Sequence, residues 1–208
     1  MKIFKTIGLT FFLTIGLIIP SCDKDSCDDI VFQNYFDITG ISISSYSDFQ
    51  QGTIISATDT VSFDEIDKIF IDYLVDYTVT AQPKSDWTSA LMPSVAACSY
   101  EPGTKGSKEE ALVNFSIITL NDFDSNHLAN SNINDLFDYH GSMLNYLNSP
   151  ISLAQFLDEK SGKIKEEDVI LDLKKAPELN QEFKVRVVME LSTGEVFEVE
   201  SEPIFIIL

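Results

Sequence analysis

Basic residues are scarce in this sequence, which holds 14 Lys and Arg against 33 Asp and Glu and carries a formal net charge of −19. Proteins that bind nucleic acid neutralise phosphates with Lys and Arg, so this balance argues against a nucleic-acid partner. It also argues against docking on anionic lipid through a basic patch. We interpret the surplus of carboxylates as a solvated, self-repelling surface.

Catalytic and cofactor motifs are also lacking. The only two histidines, His127 and His140, have a spacing that fits neither a metal site nor a nucleophile. Gly103 to Lys108 lacks the spacing of a phosphate loop, and no Gly-x-Ser-x-Gly elbow occurs. We therefore expect no cofactor, no metal and no catalytic residue. A carboxylate pair that hydrolyses glycosidic bonds is kept as an alternative because acidic residues are numerous.

His140 and the segment from Asp122 to Asn126 each allow a structural and a functional interpretation. His140 is predicted to be a core histidine or the partner of a helix C-terminus rather than a catalyst. The stretch from Asp122 to Asn126 begins like a calcium loop, but His127 stands where the loop needs Gly and Ile133 where it needs a bidentate Glu. We interpret it as an Asp- and Asn-rich turn, and a calcium site of another type stays open.

No apolar run reaches the ~20 residues that a transmembrane helix needs. The longest, from Ile7 to Ile19, follows Lys2 and Lys5 and precedes a polar stretch. This three-part order is typical of an export signal, which we place at residues 1–21. Without it the chain keeps 33 acidic against 12 basic residues, a formal charge of −21.

The sequence Ile19-Pro20-Ser21-Cys22 resembles the bacterial lipobox, although Pro20 is not the usual residue at its position. The resemblance implies cleavage before Cys22 and acylation of that residue, so the partner is a membrane reached through a lipid anchor. Residues 22–29 then form an acidic tether, which spans at most ~28 Å when fully extended.

Cysteine is rare, with three residues in the chain. With Cys22 assigned to lipid, Cys27 and Cys98 remain as a pair in an oxidising compartment. A disulfide between them would close a loop of about 70 residues and stabilise the fold by roughly 4 kcal/mol in the chain-entropy model. The alternative is two free thiols.

Strict alternation of apolar and polar residues dominates the rest of the chain. It marks strands at 68–81, 111–120 and 183–191, and the last of these forms a hairpin with 195–200 through Gly194. Tyr35 to Ile43 alternates with a change of phase at Gly40, which indicates a β-bulge or a bend. We predict a mainly β domain over 30–208, an antiparallel, immunoglobulin-like β-sandwich, with α+β as the alternative.

A helical insertion is predicted at about 121–162. One helix would follow Asn132 and carry Ile133, Leu136, Phe137 and His140 on one stripe. The other would begin at Ser152, with Gln155 completing a capping box, and end at Ser161-Gly162.

The long connection at 82–110 contains Trp87 and Tyr100, which are candidate ligand contacts; the alternative for Trp87 is a packing role under the loop. Tyr73 and Tyr77 share the apolar face of their strand, so we predict that both lie in the core. Any binding surface would then come from the connections at 82–110 and 121–150.

The specific motifs of one further resemblance lie within about the first 25 residues of the mature chain. The lipobox, Asp23-Lys24-Asp25 and Tyr35-Phe36-Asp37-Ile38-Thr39-Gly40, together with the C-terminal hairpin, resemble a set of uncharacterised lipoproteins. They belong to the Gram-negative phylum known for polysaccharide-utilisation systems. The resemblance implies anchoring at the outer membrane, exposed at the surface. Asp23 directly after the cysteine implies the alternative of a periplasm-facing protein.

We therefore expect a non-enzymatic binding or accessory module of the cell envelope, whose partner is a glycan or an envelope protein. The first alternative is the carboxylate hydrolase. The second is a structural subunit of the envelope, in which the apolar C-terminal strand Ile204 to Leu208 would be donated to a neighbour rather than complete its own sheet.

Overall fold

The computed structural model describes residues 30–83, 105–107, 111–159 and 164–207. The chain forms two compact units: one consists of Met1–Gln33 and Thr80–Tyr100, the other of Asn34–Val79 and Glu101–Leu208. Nearly all described residues belong to the second unit. The predicted signal, tether and most of the 82–110 connection lie outside the described residues.

The described residues form twelve strands and one α-helix. The strands are β1 (Ile30–Asp48), β2 (Thr53–Ile54), β3 (Thr60–Ser62), β4 (Lys68–Pro83), β5 (Leu112–Thr119), β6 (Phe137–Gly141), β7 (Tyr146–Ser152), β8 (Asp168–Leu173), β9 (Glu182–Phe183), β10 (Val185–Leu191), β11 (Val196–Glu200) and β12 (Ile204–Ile207). The helix, α1, spans Leu153–Glu159, and short 3-10 turns lie at Phe63–Glu65 and Asn134–Leu136.

The largest sheet has six strands in the order β2-β1-β4-β8-β6-β7. Thr39 Oγ1 donates to the Leu74 carbonyl and the Asp67 N–H donates to the Tyr46 carbonyl, so β1 runs antiparallel to β4. β8 is antiparallel to both β4 and β6. Its register pairs Ile71 with Val169, and both side chains are buried. One face of the sheet therefore lies against the core.

Two smaller sheets complete the unit, in the orders β11-β10-β5 and β3-β12-β9. In β10 the odd-numbered residues from Val185 to Leu191 are buried, as the alternation predicts. The hairpin between β10 and β11 is also confirmed, and Gly194 supplies the positive φ of +89° at its turn. β12 runs parallel to β3 and antiparallel to β9.

The mainly β class is confirmed: the described residues form mostly antiparallel sheets and one short α-helix, and the immunoglobulin-like sandwich stays a prediction. The phase change at Gly40 is also observed. Phe36 and Ile38 are buried before it and Ile41 after it, so the irregularity keeps both halves of β1 turned toward the core.

The first predicted helix is wrong. Instead of a helix after Asn132, the chain makes a 3-10 turn and then enters β6 at Phe137. The apolar stripe there fits period two as well as a helix, since Phe137 and Tyr139 are both buried on one side of β6. Pairing with β8 and β7 on its two edges stabilises the strand.

The second helix of the insertion is confirmed as α1. Its cap is Ser152, whose Oγ accepts the Gln155 N–H at 3.1 Å. The reciprocal half of the predicted capping box is wrong, because the Gln155 side chain donates to Glu159 instead. The predicted end at Ser161-Gly162 lies outside the described residues.

Two core predictions at strand ends are wrong. Tyr73 is buried as predicted, but Tyr77 is half exposed, since β8 begins at Asp168 and does not extend alongside it. The alternation of 111–120 also predicts that Ala111, Val113, Phe115 and Ile117 face inward; Phe115 and Ile117 are buried, but Val113, near the start of β5, is exposed. Local alternation cannot show where a neighbouring strand stops.

The C-terminal strand β12 lies between β3 and β9, so both of its edges are paired within its own chain. Because residues 204–208 are apolar on both faces, the sequence predicts a central or covered strand. β12 is central in its sheet, and it is covered on one face only: Ile204 and Ile206 are buried, whereas Phe205 and Ile207 are exposed. This arrangement agrees with a strand that completes its own sheet.

Candidate functional site

A cavity of about 420 Å³ lies beside the buried face of the six-stranded sheet. Strands β4, β6 and β8, helix α1, the start of β5 and the segment before β8 contribute to it. It is lined by Tyr73, Leu112, Tyr139, Phe156, Glu159, Ile164, Lys165, Glu166, Asp168 and Val169. Small-molecule sites typically have this size and this mixture of apolar walls with a few polar groups.

Aromatic rings form the wall at α1. The Tyr139 and Phe156 rings stack with centroids 3.8 Å apart and planes inclined by 24°. Because Ser152 caps α1, the helix starts at a fixed point and turns Leu153 and Phe156 toward the sheet, where both are buried. The wall is therefore built from residues distant in sequence.

Two phenol hydroxyls border the cavity without a partner. Tyr73 and Tyr139 are each 5% exposed, and neither hydroxyl makes a hydrogen bond within the ranges that the structure describes. Burial raises the pKa of Tyr139 to about 12, and burial, with Tyr139 and Asp168 nearby, raises the pKa of Tyr73 further. Neither hydroxyl oxygen belongs to the buried side-chain atoms that lack a partner, so both stay accessible and can donate to a ligand or to water in the cavity.

Carboxylates lie beside the phenols and hold a turn. Asp168 is buried, and its Oδ1 accepts the Met143 N–H at 2.8 Å. Glu166 accepts from Ser142 Oγ at 3.1 Å and from Asn145 Nδ2 at 2.7 Å. Burial raises the pKa of Asp168 to about 6. The hydrogen bond from Met143 opposes this rise, and the nearby acidic residues add to it.

The Asp- and Asn-rich segment is a closed turn. Asp124 is 1% exposed, and its Oδ1 accepts the N–H groups of Asn126 and His127 as well as contacting His127 Nδ1 at 2.9 Å. Its Oδ2 lies 2.6 Å from Lys175 Nζ. The pKa of Asp124 is held well below its usual range. The largest cause is the Lys175 ammonium, and these hydrogen bonds add to its effect.

Lys175 thus occupies the place that a cation would take beside Asp124. In the described parts of the chain, no group of three or more His, Cys, Asp and Glu side chains is arranged to hold a metal ion. The sequence prediction of a turn agrees with this geometry.

His140 is buried, as predicted for a core histidine, but it lies on β6 and not on a helix. Its Nε2 lies 2.5 Å from Asp172 Oδ2, and Lys68 Nζ lies 2.8 Å from Asp172 Oδ1. The His140 ring stacks on Tyr146 at 5.3 Å. This network joins β4, β8 and β6 and accounts for His140 structurally.

Sequence reasoning selected other site residues. The residues it singled out all lie outside the described residues: Trp87, Tyr100, Cys22, Cys27 and Cys98. The alternation of β4 predicts that Tyr73 lies in the core and gives no sign of a cavity beside it. One signal for the site exists in the sequence: the acidic run Glu166-Glu167-Asp168 leads directly into the apolar Val169-Ile170-Leu171.

Comparison of the chain with protein-family models, with curated proteins and with solved structures finds no match. Among the residues described, no helix combines the length and apolar character needed to cross a membrane.

Proposed function

We propose that this protein is a lipid-anchored, non-catalytic binding module of the bacterial envelope, and that its cavity holds the end of a neutral glycan. One observation carries the proposal. The hydroxyls of two buried tyrosines, Tyr73 and Tyr139, make no hydrogen bond within the described residues and stay accessible beside a stacked aromatic wall, in a cavity large enough for one or two sugar rings.

Sugar chemistry suits this lining. The C–H face of a sugar ring packs on aromatic carbon such as Phe156, and its hydroxyls pair with phenols and carboxylates. The charge of the lining favours a neutral ligand: Glu159, Glu166 and Asp168 outnumber Lys165. An anionic sugar would meet like charges there.

The envelope location rests on the lipobox resemblance at Cys22 and on the likeness to lipoproteins of the phylum rich in polysaccharide-utilisation systems. We propose an outer-membrane anchor with the domain at the surface, with a periplasm-facing protein as the alternative. A Cys27–Cys98 disulfide belongs to the same proposal, since it requires an oxidising compartment.

Asp168 favours a second candidate, a carboxylate hydrolase. Its pKa of about 6 means that it keeps a proton at mildly acidic pH, as a general acid must. Incubation of the protein with a binding oligosaccharide at pH 5.5 distinguishes the candidates: shortened products support the hydrolase, and an unchanged ligand supports the binding module.

The test of the proposal compares two variants that each lose one hydroxyl. Binding of neutral oligosaccharides to the mature chain is measured by calorimetry. Tyr139→Phe should weaken binding about 3- to 10-fold, since a hydrogen bond contributes roughly 0.5–1.5 kcal/mol. Tyr77→Phe is the control, because the Tyr77 hydroxyl donates to Glu167 and does not line the cavity.

Equal affinities for the two variants, or no binding by any neutral glycan in a broad panel, would contradict the glycan site. Thermal melts of both variants show whether the fold is kept.

A further inference from the structure

Large apolar side chains are exposed at one end of the six-stranded sheet. The turn between β6 and β7 carries Met143, which is 66% exposed, and Leu144, which is 85% exposed. Tyr146 follows at the start of β7, and Leu74 and Tyr77 lie on β4; all three are about half exposed. Turns normally carry small or polar residues, so two consecutive large apolar residues at a turn need an explanation.

These residues lie at the same end of the sheet. β4 and β6 run in the same direction, because each is antiparallel to β8. The turn follows the end of β6, and Leu74 and Tyr77 lie beyond Asp72, the last residue of β4 in register with β8. Tyr77 donates to Glu167 at 2.7 Å, and the adjacent Glu166 accepts from the turn residue Asn145.

The turn is braced. Asp168 holds the Met143 N–H, Glu166 holds Ser142 and Asn145, and Ser142 Oγ accepts the Asn145 N–H at 3.1 Å. These bonds fix the backbone of the turn while leaving the Met143 and Leu144 side chains outside the core. Their position is therefore set before any partner arrives.

The chain also enters the unit at this end. Since β1 is antiparallel to β4, its first residue in the unit, Asn34, lies at the end of the sheet where β4 carries Leu74 and Tyr77. Twelve residues, Cys22 to Gln33, precede Asn34 in the sequence and reach at most ~43 Å when fully extended. A lipid on Cys22 would hold this end toward its bilayer.

We propose that this end of the sheet faces the membrane and that Met143 and Leu144 insert into the interface of a zwitterionic bilayer. The inference rests on the proposed lipid anchor for the orientation of the domain. The insertion itself depends on the apolar side chains of the turn. Interfacial binding grows with buried apolar area. Glu166 and Glu167 beside the turn, and a net charge of −19, oppose anionic lipid.

The first experiment separates insertion from acylation. The mature chain with Cys22→Ser is floated with phosphatidylcholine vesicles, with and without phosphatidylglycerol. The unacylated chain should float with the neutral vesicles and less with the anionic ones, and Leu144→Asp should reduce flotation roughly tenfold or more. Val196→Asp is the control, because Val196 is also apolar and exposed but lies on β11.

The second experiment uses the acylated full chain in the same neutral vesicles and measures amide hydrogen exchange. Residues 142–146 should exchange more slowly than in the unacylated chain in buffer, and residues 196–200 should not change. The proposal is overturned if flotation is absent and exchange is unchanged, or if Leu144→Asp and Val196→Asp behave alike.

One further result also overturns it. A large fall in the melting temperature of Leu144→Asp in the absence of lipid would mean that another part of this chain covers the turn. Palmitate labelling of Cys22 is scored separately, so failure of the anchor and failure of the insertion give different results.

Discussion

Asp72 and Asp168 lie directly opposite each other across β4 and β8. Like charges in this position destabilise a sheet. Burial, followed by the charge of Glu167, raises the pKa of Asp72, and burial raises that of Asp168 to about 6. The fold thus keeps a buried carboxylate at a cost in stability, which is typical of residues retained for a function.

Replacing Asp168 by Asn removes the charge and keeps an oxygen that accepts the Met143 N–H. Because the folded-state pKa is raised from 3.8, the native protein binds the proton more tightly than the unfolded chain does. The contribution of the Asp168 carboxyl to the free energy of unfolding is therefore fully present below pH 3.8 and is lost as the pH rises to about 6. At pH 7.5 the variant should be more stable by on the order of 1–3 kcal/mol.

Urea unfolding at pH 7.5 and at pH 3.5 measures this difference, which should nearly vanish at the lower pH. Asp158→Asn on the exposed side of α1 is the control and should change little at either pH. A destabilised Asp168→Asn protein at pH 7.5 would show that the carboxylate stabilises the fold.

The strands could be predicted from the sequence because period-two burial is a local pattern. β10 and the buried part of β4 follow it residue by residue. The stripe from Ile133 to His140 fits two periods, and only pairing with β8, which lies far along the chain, decides between them. The exposure of Tyr77 depends likewise on where β8 begins.

The site could be predicted less well. Burial of Tyr73 follows from the alternation of β4, but the presence of a cavity beside it does not. The cavity depends on how α1 places Phe156 against Tyr139 and on the packing of β5 nearby. Such long-range packing leaves no periodic trace, whereas the turn at Asp124 could be identified from its residue types alone.

Gly141 provides a test of the braced turn. Its φ is +95°, and a Cβ there would lie 2.1 Å from the Asn145 carbonyl oxygen. Gly141→Ala should therefore destabilise the protein by about 1–3 kcal/mol or more, because backbone atoms must shift. Gly52→Ala is the matched control: its φ is also positive, at +71°, but a Cβ there meets nothing within 4 Å. Equal losses in thermal melts would mean that the crowding is relieved without cost.

The Asp124–Lys175 pair predicts the opposite pH dependence to Asp168. Because the pKa of Asp124 is lowered from 3.8, its contribution to stability is present above that pH and is lost as the pH falls below it. Asp124→Asn should lower the melting temperature at pH 7, and the difference should shrink in acid. Asp122→Asn is the control on the same turn, since its exposed side chain keeps an acceptor for the Ala129 N–H. A larger effect at Asp122 would contradict the assignment.

Calcium gives a second readout of that turn. Since Lys175 Nζ lies 2.6 Å from Asp124, millimolar calcium should leave the melting temperature of the wild-type protein unchanged. A rise with calcium that Asp124→Asn abolishes would establish the calcium site that the sequence left open.

The lipid anchor is tested at Cys22. Cys22→Ala should abolish incorporation of a palmitate analogue and leave an unprocessed or unanchored exported protein. Unchanged labelling would refute the lipobox assignment.

Mass mapping of the same exported protein without reduction should find Cys27 linked to Cys98. Free alkylation of both thiols would refute the predicted disulfide.

The sheets themselves are tested by burying a charge in each. Ile71 in β4 and Val187 in β10 are both fully buried, so Ile71→Asp or Val187→Asp would place an unpaired carboxylate in the core. Either substitution costs several kcal/mol, comparable with the stability of a whole domain, and should unfold the protein.

Val113→Asp is the control, because Val113 on β5 is 61% exposed and its replacement leaves the charge in water. Circular dichroism should show loss of the β spectrum for the two core variants and a wild-type spectrum for the control. A folded Ile71→Asp protein would contradict the buried face of the six-stranded sheet, and with it the cavity that this face borders.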